Sequence, residues 1–306
     1  MTLRVRRVGR EAAEDVLAVV RAAFGARPAL DPPADALAET VDSIAAGLAA
    51  HGGLLALDDD EPVGALVLDP DGDTLFLRRV GVVPYARHHG VAAALLGAAL
   101  EAAVGFRRLA VLARLELPTT VRFWHHEGFT EVARDAPYVR LERPGPTAYD
   151  VPDADAMRAL GHRLASSLGA GDLVVLAGGL GAGKTTFTQG LGAGLGVRGG
   201  ITSPTFVIAR VHPSLTDGPA LVHADAYRLG GIEELDDLDL DASLDDAVTV
   251  VEWGSGLTEG LAPSRLEIRI DRASGGDPLD PDGPDPRRVL VAPVGPRWLE
   301  RVSVGG

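Results

Sequence analysis

Only one of the 29 basic residues is a lysine; the other 28 are arginine, and the chain has no asparagine. A GC-rich coding bias explains that replacement wherever Arg or Asp serves as well, so the surviving Lys184 is informative. Arg cannot stand in where a compact ammonium must sit among phosphates. Residues 178–185 read GGLGAGKT and meet G-x-x-x-x-G-K-[ST] at every fixed position. Glycines in such a turn let successive N–H groups converge on phosphate oxygens, helped by the positive end of the following helix. Lys184 would reach the β- and γ-phosphates, and the Thr185 hydroxyl would ligate Mg²⁺. A plain Gly-rich turn is the alternative in a chain of 38 glycines. The full pattern, an apolar strand before it, a helix after it and the sole Lys together argue for the cradle.

A nucleotide site also needs carboxylates that hold the metal or orient water. Asp225 follows the apolar run 221–224 and Glu252 follows 248–251, so both fall at carboxyl ends of expected strands. An open α/β sheet presents its phosphate loop at that edge. Either acid alone reads as a cap or turn residue, whereas two in register with the loop favour function. Guanine recognition through [NT]-K-x-D is impossible without Asn or a second Lys, and no L-S-G-G-Q signature occurs, so ATP is the expected nucleotide. The run 233–246 holds eight carboxylates and no cation. Residues 237–241 begin like a calcium loop, but Ala242 replaces the turn glycine and Val248 takes the twelfth position, which rejects calcium. A solvated acidic face is the default there, with a basic partner surface as the alternative.

These groups need elements to place them. The 306 residues suit two domains, and the stretch 143–147 reads as a linker. We expect domains at 1–143 and 144–306. The fold class is α/β in both: a mixed sheet first, then a nucleotide-binding sheet with a phosphate loop. In the second half, helices are expected over 153–168 and 185–195, and strands over 173–176, 206–211, 221–224, 248–251, 266–270 and 289–291. Residues 271–288, rich in Pro, Gly and Asp, read as a long loop. In the first half, strands are expected over 3–8, 54–57, 63–68, 75–83 and 109–112, and helices over 12–24, 36–50, 91–104 and 123–127. The two halves share no repeat.

Composition narrows the function classes. Net charge is −14, split −4 and −10 between the halves, which disfavours a broad grip on nucleic-acid backbones. The absence of cysteine removes disulfides, thiolate metal sites and cysteine nucleophiles. No apolar run approaches the roughly 20 residues of a membrane span, and the Arg-rich start lacks a signal-peptide core, so a cytoplasmic protein without membrane contact is expected.

Four segments carry a resemblance in order: residues 178–197 (GGLGAGKTTFTQGLGAGLGV), 203–206 (SPTF), 223–229 (HADAYRL) and 251–254 (VEWG). Together they resemble the TsaE family, small ATPases needed to make threonylcarbamoyladenosine beside the anticodon of certain tRNAs. The resemblance covers most of 147–270. It implies that ATP binds along Gly181, Ala182, Gly183, Lys184, Thr185 and Thr186, and that Thr185 and Glu252 hold Mg²⁺. It also implies that Ser203, Thr205 and Asp225 line the catalytic region with Lys184, and that Trp253 lies near the nucleotide. TsaD-like and TsaB-like proteins are the implied partners, and they rather than this acidic chain would hold tRNA. The long loop departs from the compact family end, so no residue beyond 253 is carried over. A small-molecule kinase would need an acceptor pocket and an Arg-rich lid, for which the acidic second half offers no candidate.

In the first half, Arg87, Gly90, Val91 and Ala92 follow a strand through Val82 and open a helix, aiming backbone N–H groups at a pyrophosphate. With 123–129 (FWHHEGF) and the order of elements, residues 3–141 resemble the GNAT acetyltransferase superfamily. That resemblance implies that Val82, Arg87, Gly90, Val91 and Ala92 hold acetyl-CoA. Trp124 stands where many relatives carry a tyrosine, and indole cannot protonate the leaving thiolate; His125 or Glu116 are the substitutes to consider. A non-catalytic acyl-CoA sensor or docking module is the rival reading. The vicinal histidines 88–89 and 125–126 lack helical metal-ligand spacing, so zinc is not expected.

Overall fold

The computed structural model describes residues 2–204, 209–226, 245–254, 262, 264–272 and 285–304, the last four by backbone only. It divides into two compact units, Met1–Pro146 and Thr147–Val304.

The first unit is a seven-stranded sheet of order β1-β2-β3-β4-β5-β7-β6. Its strands are β1 (Leu3–Val8), β2 (Gly53–Asp58), β3 (Glu61–Asp71), β4 (Thr74–Val82), β5 (Arg108–Arg114), β6 (Thr130–Asp135) and β7 (Tyr138–Pro144). Only β4 and β5 run parallel. Four helices accompany them: α1 (Ala13–Gly25), α2 (Val41–His51), α3 (Val91–Ala102) and α4 (Pro118–His126). The helix expected over 36–50 is broken. Thr40 takes an extended conformation and caps α2 reciprocally with Ser43, while Asp35–Ala38 form a separate 3₁₀ turn. Strands β6 and β7 were not anticipated, because 130–135 is polar and largely exposed, without apolar alternation. The expected linker shrinks, since Arg143 and Pro144 belong to β7. Arg143 is buried, donating to the Glu127 carbonyl at 2.9 Å, and only Gly145 and Pro146 separate β7 from the next strand.

The second unit is a sheet of order β10-β11-β12-β9-β13-β14-β8. Its strands are β8 (Thr147–Val151), β9 (Leu173–Ala177), β10 (Ala209–His212), β11 (Ala220–Asp225), β12 (Ala247–Glu252), β13 (Arg265–Arg272) and β14 (Arg287–Val294). The central four are parallel and the edges antiparallel. Helices α5 (Ala154–Ala165), α6 (Lys184–Leu195) and α7 (Pro296–Val304) complete the unit among the described residues. β8 and α7 carried no recognised sequence signal. Residues 206–208 of the strand expected at 206–211, and most of the acidic run (233–244), lie outside the described residues, as do 273–284 of the expected loop.

The phosphate-loop helix is held by close backbone contact. Asp153 caps α5 by accepting from the Ala156 N–H at 2.8 Å, and α5 lies against α6 through glycines. A Cβ on Gly190 would stand 2.0 Å from the Arg158 carbonyl oxygen, and one on Gly161 2.3 Å from that of Phe187. Phe187 and Leu191 fill the core beneath the sheet, with Val174, Leu176, Val248 and Val250. Buried Asp172 caps the turn after α5 by accepting from the Gly169 N–H and pairs with Arg297 of α7.

Gly190→Ala should therefore destabilise the second unit by about 1–3 kcal/mol, because backbone must move to admit the methyl group. Gly97→Ala, on α3 with nothing within 4 Å of the added carbon, should stabilise the first unit by about 0.5–1 kcal/mol. Urea unfolding of the two variants checks both signs.

Candidate functional site

Strand β9 delivers the chain into the loop 178–183 at the carboxyl edge of the parallel strands. Gly178, Gly181 and Gly183 have φ of 149°, 72° and 109°, values that suit glycine. Gly178 is also sterically required, since a Cβ there would lie 2.5 Å from the Ile270 carbonyl oxygen. Gly183 is the N-cap of α6 and Ala182 is buried under the loop. Helix α6 starts one residue earlier than expected, so Lys184, Thr185 and Thr186 form its first turn.

The Lys184 side chain folds back into the loop. Its Nζ donates to the carbonyls of Gly178 at 2.9 Å and Gly179 at 3.1 Å, and lies 3.8 Å from the centre of the Trp253 ring. Burial pushes this ammonium below the usual lysine range, and the carboxylates of Glu252 and Asp225 oppose that shift. Trp253 is held there by backbone. It sits at φ 61° directly after β12, with its N–H donating to the Leu176 carbonyl at 2.9 Å.

Asp225 and Glu252 end adjacent parallel strands in register with each other, both buried. Glu252 Oε1 accepts from Thr185 Oγ1 at 2.9 Å and lies 2.9 Å from His223 Nε2. The strand ends thus join to the first turn of α6 by the chain His223–Glu252–Thr185. His223 belongs to the segment used for the resemblance, yet sequence gave it no role, because its contact depends on the register of β11 and β12. A hydroxyl and a carboxylate are hard oxygen donors of the kind Mg²⁺ takes together with nucleotide phosphates. Among the described residues no group of three or more His, Asp or Glu side chains is placed to hold a metal. Ser203 is exposed in the stretch after Ile201, and Thr205 lies outside the described residues.

Arg287, at the start of β14, is a residue the sequence reading did not reach. Its Nε donates to the Ala182 carbonyl at 3.1 Å and its Nη2 to that of Gly181 at 3.3 Å, while Asp285 grips the same guanidinium.

The first unit carries a second candidate site. β4 pairs with β5 only from Thr74 to Phe76; beyond that, β4 stays with β3 and β5 with β7. A bulge in β4 at Arg79, φ 54°, accompanies the parting, and Glu39 holds the Arg79 guanidinium at 2.6 Å. The strands diverge into a wedge. Val82 ends β4, and a 3₁₀ turn at Pro84–Ala86 leads to Gly90, φ 77°, the N-cap of α3. Val91 and Ala92 contribute first-turn N–H groups without an acidic neighbour in that turn. Arg87 donates to the Ala23 carbonyl near the end of α1 at 3.2 Å. Arg27, over the Phe24 ring at 3.6 Å, is pushed down to about 10 by burial and by Arg87.

Trp124 and the two groups considered as proton donors, Glu116 and His125, have these surroundings. Trp124 is buried edge-on between Phe123 and Phe129. Glu116 is bonded to Arg114 at 2.7 Å, which keeps its carboxyl below the usual range. His125 Nδ1 lies 3.0 Å from the Phe129 carbonyl oxygen.

Comparison with known proteins adds the following. Residues 151–277 match the family model for threonylcarbamoyl adenosine biosynthesis protein TsaE, and 13–129 match that of the GNAT acetyltransferase family. The chain is 65% identical over 143 residues to the Streptomyces coelicolor tRNA threonylcarbamoyladenosine biosynthesis protein TsaE, covering 46% of this chain and 93% of the relative. It is 46% identical over 154 residues to the Mycobacterium tuberculosis protein of that name, covering 48% and 92%. Among solved structures, Bacillus subtilis YdiB aligns at 30% identity and TM-score 0.39, covering 52% of this chain and 95% of its own. The Thermoplasma acidophilum PaiA N-acetyltransferase, solved with coenzyme A, aligns at 16% identity and TM-score 0.43, covering 47% and 99%.

Removing the imidazole from the chain His223–Glu252–Thr185 leaves a buried carboxylate short of a partner. His223→Leu should cost the second unit about 1–3 kcal/mol in denaturant unfolding, and adding Glu252→Gln should recover part of it by removing the charge.

Proposed function

The chain belongs to the TsaE family through its second half, and from that membership we propose that it is the ATP-binding and ATP-hydrolysing component of a system that makes threonylcarbamoyladenosine in tRNA. The observation that carries the reading is the Lys184 cradle bonded through Thr185 to Glu252 at the strand ends. Each residue then has a task. The backbone from Gly181 to Thr186 lines the phosphates, with N–H groups offered from Gly183 onward, since the Ala182 N–H is bonded to the Gly179 carbonyl. Lys184 exchanges its carbonyl acceptors for β- and γ-phosphate oxygens, and Trp253 keeps its ammonium dry. Thr185 and Glu252 supply oxygen ligands to Mg²⁺, which when bound neutralises charge on the β- and γ-phosphates. Asp225, one strand over, orients water, and the family resemblance adds Ser203 and Thr205 to the catalytic residues.

A chain carrying −14 is poorly built to hold tRNA, so TsaD-like and TsaB-like partners are proposed to hold it, in the cytoplasm. ATP turnover would drive or reset that complex rather than build the modification. No helix among the described residues is long and apolar enough to cross a membrane.

The first unit is proposed as a separate acetyl-CoA-binding domain using the β4–β5 wedge and the Gly90–Ala92 turn. Trp124 has no acidic proton to give and Glu116 is bonded to Arg114, so acetyl transfer would rest on His125, whose Nδ1 lies against the Phe129 carbonyl; a non-catalytic sensor or docking module is the rival reading.

Lys184→Ala in a system reconstituted with the TsaD-like and TsaB-like proteins should lower ATP turnover by about 100-fold or more, and modified tRNA with it; unchanged turnover would contradict the assignment. In calorimetry, acetyl-CoA should bind the intact chain, and Gly90→Glu should abolish binding by placing a carboxylate at the helix N-terminus. Arg87→Ala should weaken it less, because that guanidinium already serves the Ala23 carbonyl. Binding by Gly90→Glu equal to wild type would remove the site from this turn.

A further inference from the structure

A phosphate loop works only if its peptides face the right way, and this one is made of residues that choose poorly for themselves. Gly181 and Gly183, at φ 72° and 109°, lack the Cβ that would limit rotation of their peptides. Two cations hold the loop's carbonyls. From within, Lys184 takes Gly178 and Gly179. From outside, Arg287 takes Gly181 and Ala182.

We propose that Arg287 is a positioning residue for the nucleotide diphosphate, acting through the outward carbonyls of the loop. The inference rests on the nucleotide reading above. Because the peptide is planar, a carbonyl drawn to one side sends the following N–H to the other. Fixing the Ala182 oxygen therefore aims the Gly183 N–H into the cradle. The Ala182 N–H is already spent on the Gly179 carbonyl at 3.1 Å, so Gly183 begins the run of donors that continues into α6. A carbonyl accepting from a cation also makes its peptide N–H a stronger donor.

The residue type fits the task. A planar guanidinium places its Nε–H and Nη2–H on successive carbonyls in a fixed geometry, and the Arg287 side chain is just 11% exposed. Asp285 fixes its orientation, and Arg287 in turn holds the Asp285 carboxyl below the usual range. The neighbouring Arg288 is far more exposed, pairing with Asp150 at 4.0 Å, which makes it a natural control for charge alone.

The test is fluorescence titration of the full chain with N-methylanthraniloyl ADP and AMP, with melting temperatures recorded without nucleotide. Arg287→Met should weaken ADP by about tenfold and AMP by less than about twofold, because AMP lacks the β-phosphate that the aimed N–H serves. Arg288→Met should leave both unchanged. Arg287→Lys, which keeps the charge but lacks the planar fork that Asp285 orients, should fall between wild type and Arg287→Met, and it decides the matter if the Met variant fails to fold. ADP binding by Arg287→Lys equal to wild type, or equal losses for ADP and AMP, would overturn the proposal while leaving the nucleotide reading intact. A wild-type chain that binds no ADP would overturn both.

Discussion

Burying one positive charge at the edge of a sheet is the constraint on which the second unit is built. Lys184 is about 5% exposed, and a buried ammonium is tolerated only where acceptors surround it. Two loop carbonyls, the Trp253 ring face and the nearby carboxylates Asp225 and Glu252 meet that need. Each requirement propagates outward. The carbonyls must turn inward, a turn that begins at Gly178, φ 149°. Trp253 must sit directly after β12. The carboxylates must end β11 and β12 in register with the loop. These same groups bring together an anion cradle, a hydroxyl and two acids.

The cradle is rigid because its supports come from distant parts of the chain. α5 and α6 touch backbone to backbone through Gly161 and Gly190, leaving α6 little room to slide. The antiparallel pair β13 and β14 also reaches the loop, through the Ile270 carbonyl and Arg287. His223 steadies Glu252 from beneath. In the first unit the logic differs: a bulge parts two strands, and a helix N-terminus closes the far end of β4. There Arg87, which the resemblance assigns to the ligand, donates to the Ala23 carbonyl near the end of α1.

Local patterns made most of this legible in advance. The phosphate loop is a contiguous eight-residue run whose glycines, lysine and threonine each answer a local need. Asp225 and Glu252 stood out because an acid closing an apolar run marks a strand end. The parallel core strands β9, β11 and β12 announce themselves by apolar runs, since both faces are covered. What escaped depends on pairing between remote segments. β6 is polar and exposed and β8 is five residues directly after the Gly-Pro pair, while the alternation of β7 spans only Val139 and Leu141 among charged residues, too short to stand out. Arg287 acts across 105 residues on carbonyls that any residue possesses, and His223 gains its role only from strand register. Where the sequence suggested one helix over 36–50, the Thr40 cap divides it, because a good N-cap can outweigh a continuous helical run.

The central claim is that the groups around Lys184 form one site for a nucleoside triphosphate and its metal. A crystal structure of the full chain with Mg²⁺ and a non-hydrolysable ATP analogue tests it most directly. The account predicts phosphates in the loop 178–185, Lys184 Nζ on β- and γ-phosphate oxygens, and Mg²⁺ held by Thr185 with Glu252 ligating directly or through water. A nucleotide seated elsewhere, or a loop that leaves Lys184 on the Gly178 and Gly179 carbonyls with the analogue bound, would contradict it.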